Sequence, residues 1–338
     1  MSRIAIIGAG AWGTGLSIVL GRSGRHEISL WAHEEEVVES ITWRRVNELF
    51  LPGQIIPHSV VPTQDLGRAL AGAKIVVSVM PSQHCRGLFS QMKTHLPPDT
   101  LIVSATKGLE EKSLMRMTVV ISDVVNARQV RIGALSGPSF AREVARGDPT
   151  AITIASRDYE LAASVQHEFS DPRFRVYTND DIVGVELGGA LKNIIAIAAG
   201  VCDGLGLGHN SIAALITRGL AEITRLVVGC GGRQETMSGL AGLGDLVLTC
   251  TGGLSRNRSV GVALGQGRKL PEIIADMHGA VAEGVFTTGA AVELAHREGI
   301  EMPITEQMHA ILHQGKPPRE AIHDLMTRSA KSEIAFTS

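Results

Sequence analysis

The chain lacks an excess of either charge, has few cysteines and has no long apolar run, and each shortage narrows what it can be. Its 338 residues carry 32 Lys and Arg against 34 Asp and Glu, for a formal net charge of −2. Such a balance gives no general electrostatic case for nucleic acid or an anionic membrane as partner, so an anionic ligand must be held by a local cluster. Four cysteines (Cys85, Cys202, Cys230, Cys250) lie far apart with no C-x-x-C. This argues against a disulfide framework or a zinc site and for a reducing compartment. The longest apolar stretch, 194–202, is too short to cross a bilayer. The opening Met-Ser-Arg-Ile-Ala-Ile-Ile reads as a strand and lacks the apolar core of a signal peptide. A soluble cytoplasmic protein is therefore expected, with no nucleic acid partner and no membrane insertion. Neither a repeat period nor a low-complexity tract is visible.

What is present begins with residues 3–13, Arg-Ile-Ala-Ile-Ile-Gly-Ala-Gly-Ala-Trp-Gly. A short apolar run feeds into G-x-G-x-x-G, and a helix-like segment follows. Gly8 allows the tight turn, Gly10 lets the backbone approach a pyrophosphate, and Gly13 lets the helix pack on the strand. The helix N-terminus offers free N–H groups and a partial positive charge to phosphates.

Strand-like and helix-like segments alternate through the first half. Strands are expected at 3–7, 27–31, 74–79, 100–104, 130–135, 150–155 and 173–177. Helix-compatible stretches include 34–48, 82–94, 110–125 and 158–169. Alternation of this kind implies a parallel sheet covered by helices on both faces. Beyond residue 182 strand-like runs give way to helical segments separated by Gly and Pro. The expected architecture is α/β, with a Rossmann-type doubly wound parallel sheet over 1–182 and an all-helical domain over 183–338.

The nucleotide is read at the end of the second strand, where an Asp or Glu usually bonds the ribose of NAD. Here Ile28-Ser-Leu-Trp31 is followed by Ala32-His33. A histidine can hydrogen-bond a 2′-phosphate and, when protonated, neutralise part of its charge. The expectation is NADP(H), with NAD(H) tolerated. Glu34–Glu36 come next and weigh against a dedicated phosphate pocket.

Lys192 lies inside an apolar helical run, 187–200. A lysine there either snorkels to solvent or sits in a pocket, where desolvation lowers its pKa toward neutrality. The second case suits a proton donor and acceptor for a carbonyl/alcohol pair. Asn193 and Glu186 could orient it. Lys107 falls just past a strand's C-terminal end, where open parallel sheets bind ligands. Gly137-Pro-Ser139-Phe140-Ala141 forms a second turn there, with Ser139 a candidate N-cap. The segment 239–251 is too glycine-rich for a plain helix and presents Asp245. Ser255-Arg256-Asn257 supplies hydroxyl, guanidinium and amide donors that suit a phosphate, or equally a solvated turn. Together these parts suggest hydride transfer to or from a small phosphorylated hydroxy or keto compound.

Several long segments now carry a resemblance: GAGAWGT at 8–14, ATKGLE at 105–110, SGPSFAREV at 136–144 and GVELGGALKNIIAIAAG at 184–200. So do ITRGLAEITRL at 216–226, GLAGLGDLVLTCTGGLSRNR at 239–258, VAEGVFT at 281–287 and EMPITEQ at 301–307. Along essentially its whole length the chain resembles bacterial NAD(P)-dependent sn-glycerol-3-phosphate dehydrogenase. The resemblance implies reversible reduction of dihydroxyacetone phosphate to sn-glycerol 3-phosphate, the backbone precursor of glycerophospholipids. It also implies a helical domain like that of 6-phosphogluconate dehydrogenase, and a homodimer. By the same resemblance Lys192 is the catalytic proton donor/acceptor, and Lys107, Gly137, Ser139, Asp245, Thr249, Ser255, Arg256 and Asn257 contact substrate. The implied cofactor contacts are Gly8, Gly10, Ala11, Trp12, Gly13, His33, Lys107, Ala141, Arg256, Val281 and Glu283. The competing readings are a related two-domain reductase of a non-phosphorylated hydroxy or keto acid, and an NADP(H)-binding sensor without turnover.

Overall fold

A computed structural model describes residues 2–126, 131–277, 282–330 and 332–333. Eight strands form one sheet: β1 (Ser2–Ile7), β2 (His26–Trp31), β3 (Val60–Thr63), β4 (Ile75–Ser78), β5 (Leu101–Ser104), β6 (Ile132–Ser136), β7 (Thr150–Ala155) and β8 (Phe174–Asn179). Their order is β3-β2-β1-β4-β5-β6-β7-β8. The chain thus leaves β1 in one direction and returns at β4 to build in the other, which makes the β1/β4 boundary a switch point. Ile4, Ala5, Ile6 and Ile7 of β1 are all fully buried. An unbroken apolar strand is what a parallel sheet covered on both faces demands.

Two strands, β7 and β8, depart from the expected parallel sheet. β7 runs antiparallel to β6, and β8 then pairs parallel to β7. The reason lies in the connection. The helix after β6, Ala141–Arg146, has six residues and rises roughly 9 Å. That helix does not by itself span a five-residue strand of about 17 Å, and the chain re-enters the sheet at the end where β6 leaves it. β3 was not foreseen, since Pro62 within Val-Val-Pro-Thr reads as a strand breaker. It is tolerated because β3 is an edge strand. The segment 110–116 is not helical; it closes a loop through the Leu109–Arg116 bridge, and the helix begins at Met117. The start of the expected 130–135 strand lies outside the described residues.

The helical domain is organised around one long helix, Ile182–Gly204. Buried along most of its length, it forms the centre of a core with the helices His209–Gly229, Arg256–Gly265, Glu283–Glu298 and Pro303–Gln314. It corrects the expectation that no apolar segment is long enough to cross a membrane. By length and hydropathy it qualifies, but 94% of its most apolar window is buried inside the protein. All four cysteines are free thiols.

The crossing of this central helix with Arg256–Gly265 is unusually close. A Cβ on Gly200 would collide with the Arg258 carbonyl oxygen, and one on Gly204 with that of Val262. Reciprocally, a Cβ on Gly261 would collide with the Ile197 carbonyl oxygen, and one on Gly265 with that of Val201. Two glycine pairs, each four residues apart, let the two backbones touch. The contact fixes the first turn of Arg256–Gly265, and with it Arg256 and Asn257, against the helix that carries Lys192. Backbone cannot move aside as a side-chain tip can. Gly200→Ala and Gly261→Ala are therefore each expected to destabilise the fold by about 3 kcal/mol, the upper range for overpacking. Urea unfolding checks this, with Gly206→Ala, at a surface turn where nothing lies within 4 Å, expected to act only through its positive φ.

Candidate active site

Asp181 fixes the start of the central helix, accepting from the Gly184 N–H at 2.9 Å, the Arg233 N–H at 2.8 Å and the Thr236 hydroxyl at 2.7 Å. Lys192 follows three turns later and is only 6% exposed. One turn before it lie Gly188 and Gly189. A Cβ on Gly189 would reach the Ser136 hydroxyl at 2.6 Å and lie 3.9 Å from the Lys107 side chain. One on Gly188 would sit 2.9 Å from the Ala241 carbonyl oxygen. Each glycine costs the helix roughly 0.5–1 kcal/mol relative to alanine. In return, the end of β6, Lys107 and the 237–245 segment all approach the helix beside Lys192. These two glycines escaped the sequence reading, although paired glycines in a helical run are the signal for such an approach.

Residues Leu240–Gly244 form a π-helical turn that runs into the helix Asp245–Thr251. The expectation that 239–251 is no plain helix holds, and the wider turn aims Asp245 at the central helix. One carboxylate oxygen of Asp245 accepts from the Lys192 ammonium, and the other accepts from Lys107 Nζ at 2.7 Å. Lys192 Nζ also donates to the Thr249 hydroxyl at 2.8 Å, and that hydroxyl donates to the Asp245 carbonyl oxygen at 2.6 Å. Lys107, 20% exposed, is the member of the cluster most open to solvent. Asp245 and Thr249, rather than Asn193 and Glu186, are what orient Lys192. Glu186 instead accepts from the Thr118 N–H and hydroxyl and pairs with Arg116. No hydrogen bond joins the Asn193 side chain to Lys192 among the described residues.

Burial draws the Lys192 pKa down to about 7; Asp245 opposes the shift and the nearby Lys107 charge reinforces it. For Asp245 burial pushes upward, but the two ammonium groups outweigh it and hold the carboxyl below its usual range. The site thus holds a permanent anion beside an amine that gains or loses a proton near neutrality.

The rim is built by the Ser255–Asn257 segment and the start of Glu283–Glu298. Ser255 caps its own helix, accepting from the Arg258 N–H at 3.2 Å. Asn257 uses its carbonyl oxygen to accept from the Gly284 N–H at 2.9 Å, which leaves its amide nitrogen to act as a donor. Arg256 is exposed. Glu283 accepts from Ser82 at 3.2 Å; burial pushes its pKa up to about 7 against the pull of Ser82 and Arg256. Gly137, at φ +139, packs on Ile152. Ser139 is not an N-cap: its hydroxyl donates to the Gly137 carbonyl at 2.9 Å, and Phe140 occupies the cap position.

On the sheet side, Gly8 takes φ +117, and a Cβ on Gly13 would collide with the Gly8 carbonyl. Gly10 caps the helix Ala11–Arg22, and a Cβ added there would meet nothing within 4 Å. That open approach, with the buried Trp12 Nε1 left without a hydrogen-bond partner, fits a dinucleotide phosphate cradle. Ala141 packs against Gly15 of the same helix. His33 is exposed two residues past the end of β2, its ring 6.3 Å from that of Trp31. Val281 lies outside the described residues.

Residues 3–162 match the family model described as NAD-dependent glycerol-3-phosphate dehydrogenase N-terminus, and residues 181–323 match its C-terminus. The chain belongs to the glycerol-3-phosphate dehydrogenase family. It is 68% identical to the glycerol-3-phosphate dehydrogenase (NAD(P)+) of Koribacter versatilis over 99% of both chains. With the protein of the same name from Acidobacterium capsulatum it shares 55% identity over 98% of this chain and all of the other. A crystal structure of glycerol-3-phosphate dehydrogenase from Coxiella burnetii matches its fold with a TM-score of 0.93 at 43% identity, over 97% of this chain and 99% of that one.

Within this family member, removal of the Asp245 charge exposes the two lysines to one another. Asp245→Asn is expected to destabilise the protein by about 3 kcal/mol, as breaking a buried pair does. The loss should be larger at pH 5.5 than at pH 8. Lys192 is protonated below about 7 in the native wild type, so there the variant must either keep an unpaired ammonium or release its proton. Urea unfolding at the two pH values decides it; an equal loss at both contradicts the coupling.

Proposed function

We propose that the chain reversibly reduces dihydroxyacetone phosphate to sn-glycerol 3-phosphate, with Lys192 moving the proton. The observation that carries this reading is the buried Lys192–Asp245–Lys107 cluster in a member of this family. The nicotinamide, when bound, supplies or accepts the hydride. Lys192, as ammonium, donates a proton to the oxygen on the reacting ketone carbon and stabilises its growing negative charge. In the reverse direction the neutral amine takes that proton back. Asp245 and Thr249 hold Nζ in place, and Lys107 binds the carbonyl or hydroxyl end. Arg256 and the amide of Asn257 bind the phosphate, so remote binding energy orients the ketone. Gly137, Ser139 and Ser255 complete the substrate wall.

The cofactor lies along Gly8–Gly13 and reaches Ala141, Lys107, Arg256 and Glu283. His33, with no carboxylate at the end of β2, supports preference for NADP(H) over NAD(H). The division of labour falls at residue 182, with cofactor binding before it and substrate binding after it. The separate family matches to the two halves support that division. A homodimer in the cytoplasm completes the reading; the free cysteines support a reducing compartment.

Oxidation of NADPH followed at 340 nm, with dihydroxyacetone phosphate and unphosphorylated dihydroxyacetone compared, tests the reading; phosphate-dependent turnover is expected. Lys192→Ala should lower kcat by roughly a hundredfold or more, the scale of lost general acid catalysis, and near-wild-type turnover would sink the assignment. Arg256→Ala should impair the phosphorylated ketone far more than the unphosphorylated one. As pH rises through about 7, ketone reduction should fall and alcohol oxidation rise, because the first needs the ammonium and the second the amine.

A further inference from the structure

Between β2 and β3 the chain makes a strap whose centre is Asn47, fully buried. Its amide nitrogen donates to the Ala9 carbonyl oxygen and to the Thr14 hydroxyl, both at 2.8 Å. Thr14 adds a second donor to the same carbonyl at 3.2 Å. The strap holds Asn47 in turn: its side-chain oxygen accepts from the Phe50 N–H at 3.1 Å, and its backbone carbonyl from the Leu51 N–H at 2.9 Å. Ala9 lies between the two glycines that begin the dinucleotide loop, so a residue 38 positions away in sequence grips the middle of that loop.

We infer that Asn47 is a positioning residue for the cofactor: by anchoring the Ala9 carbonyl it sets the Ala9–Gly10 peptide so that the Gly10 N–H faces the pyrophosphate. The peptide unit is planar and trans, so its C=O and N–H point in opposite directions. With the carbonyl drawn inward to the buried amide, the N–H must point away from the strap. The Gly10 N–H has no partner among the described residues, and the space beside Gly10 is open. Flipped the other way, the peptide would turn a carbonyl oxygen toward an anion and leave one N–H of the buried Asn47 amide without an acceptor, the other still bonding Thr14. Gly10 gives the loop the freedom to flip, so an anchor outside the loop is needed to select one orientation. This inference rests on the reading of residues 8–13 as the cofactor loop.

Asn47→Asp separates the two roles of the side chain. It keeps an oxygen for the Phe50 N–H, but places a second carboxylate oxygen where the donor to Ala9 stood. Calorimetric titration of wild type and variant with NADPH and with 2′-phospho-ADP-ribose, which lacks the nicotinamide, gives a readout apart from turnover. Both ligands should bind the variant about tenfold more weakly or worse, the scale of one lost and one unsatisfied buried hydrogen bond. The KM for dihydroxyacetone phosphate at saturating NADPH should stay within about twofold. Thr14→Val, which removes the second donor to the same carbonyl, should give a smaller loss of the same pattern and guards against a folding defect in the first variant. Unchanged ligand affinity in Asn47→Asp overturns the inference, as does a loss shared equally by cofactor and ketone in both variants. Failure of the wild type to bind either nucleotide overturns the loop reading itself.

Discussion

A single carboxylate, Asp245, is bonded on its two oxygens by two ammonium groups in a site from which water is nearly excluded. Its own ionisation depends on them, since burial alone would raise its pKa. Their arrangement depends on it, since Lys192 and Lys107 would otherwise repel at close range. The three groups come from three places: the central helix, the turn after β5, and the π-helical turn after residue 239. One charge therefore ties the sheet domain to two separate pieces of the helical domain. It also tunes the amine, because burial and Lys107 pull the Lys192 pKa down while Asp245 pulls it up. The balance falls near neutrality, where a group serves as acid and base with nearly equal ease.

Such a cluster needs backbones closer together than ordinary side chains allow, and glycine provides this wherever elements meet at the site. Gly188 and Gly189 admit the segments bearing Asp245 and Lys107. Gly200, Gly204, Gly261 and Gly265 press the turn bearing Arg256 and Asn257 against the same helix. Gly13 seats the first helix on its loop. On the sheet side the strand order places a switch point between β1 and β4, and because β6 runs parallel to them the Gly137–Ala141 loop leaves from that same end of the sheet. Fold and site are thus one problem of close approach around a buried charge.

Much of this was legible in residue order. The alternation of short Ile- and Val-rich runs with amphipathic stretches marks the sheet, and its loss after residue 182 marks the helical domain. Lys192, Lys107 and Asp245 stood out as polar residues in apolar or glycine-rich surroundings. Their mutual bonding did not, because a contact across 53 or 138 residues leaves no local periodicity. For the same reason Glu186 and Asn193 looked like partners of Lys192, being near it in sequence. Glu186 lies six residues from Lys192, on another side of the helix, where it meets Arg116. The direction of β7 was hidden because it depends on where the 137–149 connection re-enters the sheet, which composition does not mark. Ser139 has the residue type of an N-cap, but the helix starts one residue later than that role requires.

The most direct test of the central claim is the titration of Lys192 itself, read from the NMR chemical shift of its side-chain carbon next to Nζ, assigned by comparison with Lys192→Met. A midpoint near pH 7 is expected for the wild type, far below the usual lysine value of about 10.4. A midpoint at that usual value would mean that Lys192 is solvated and unconstrained, and would contradict the account of a buried, charge-balanced proton carrier.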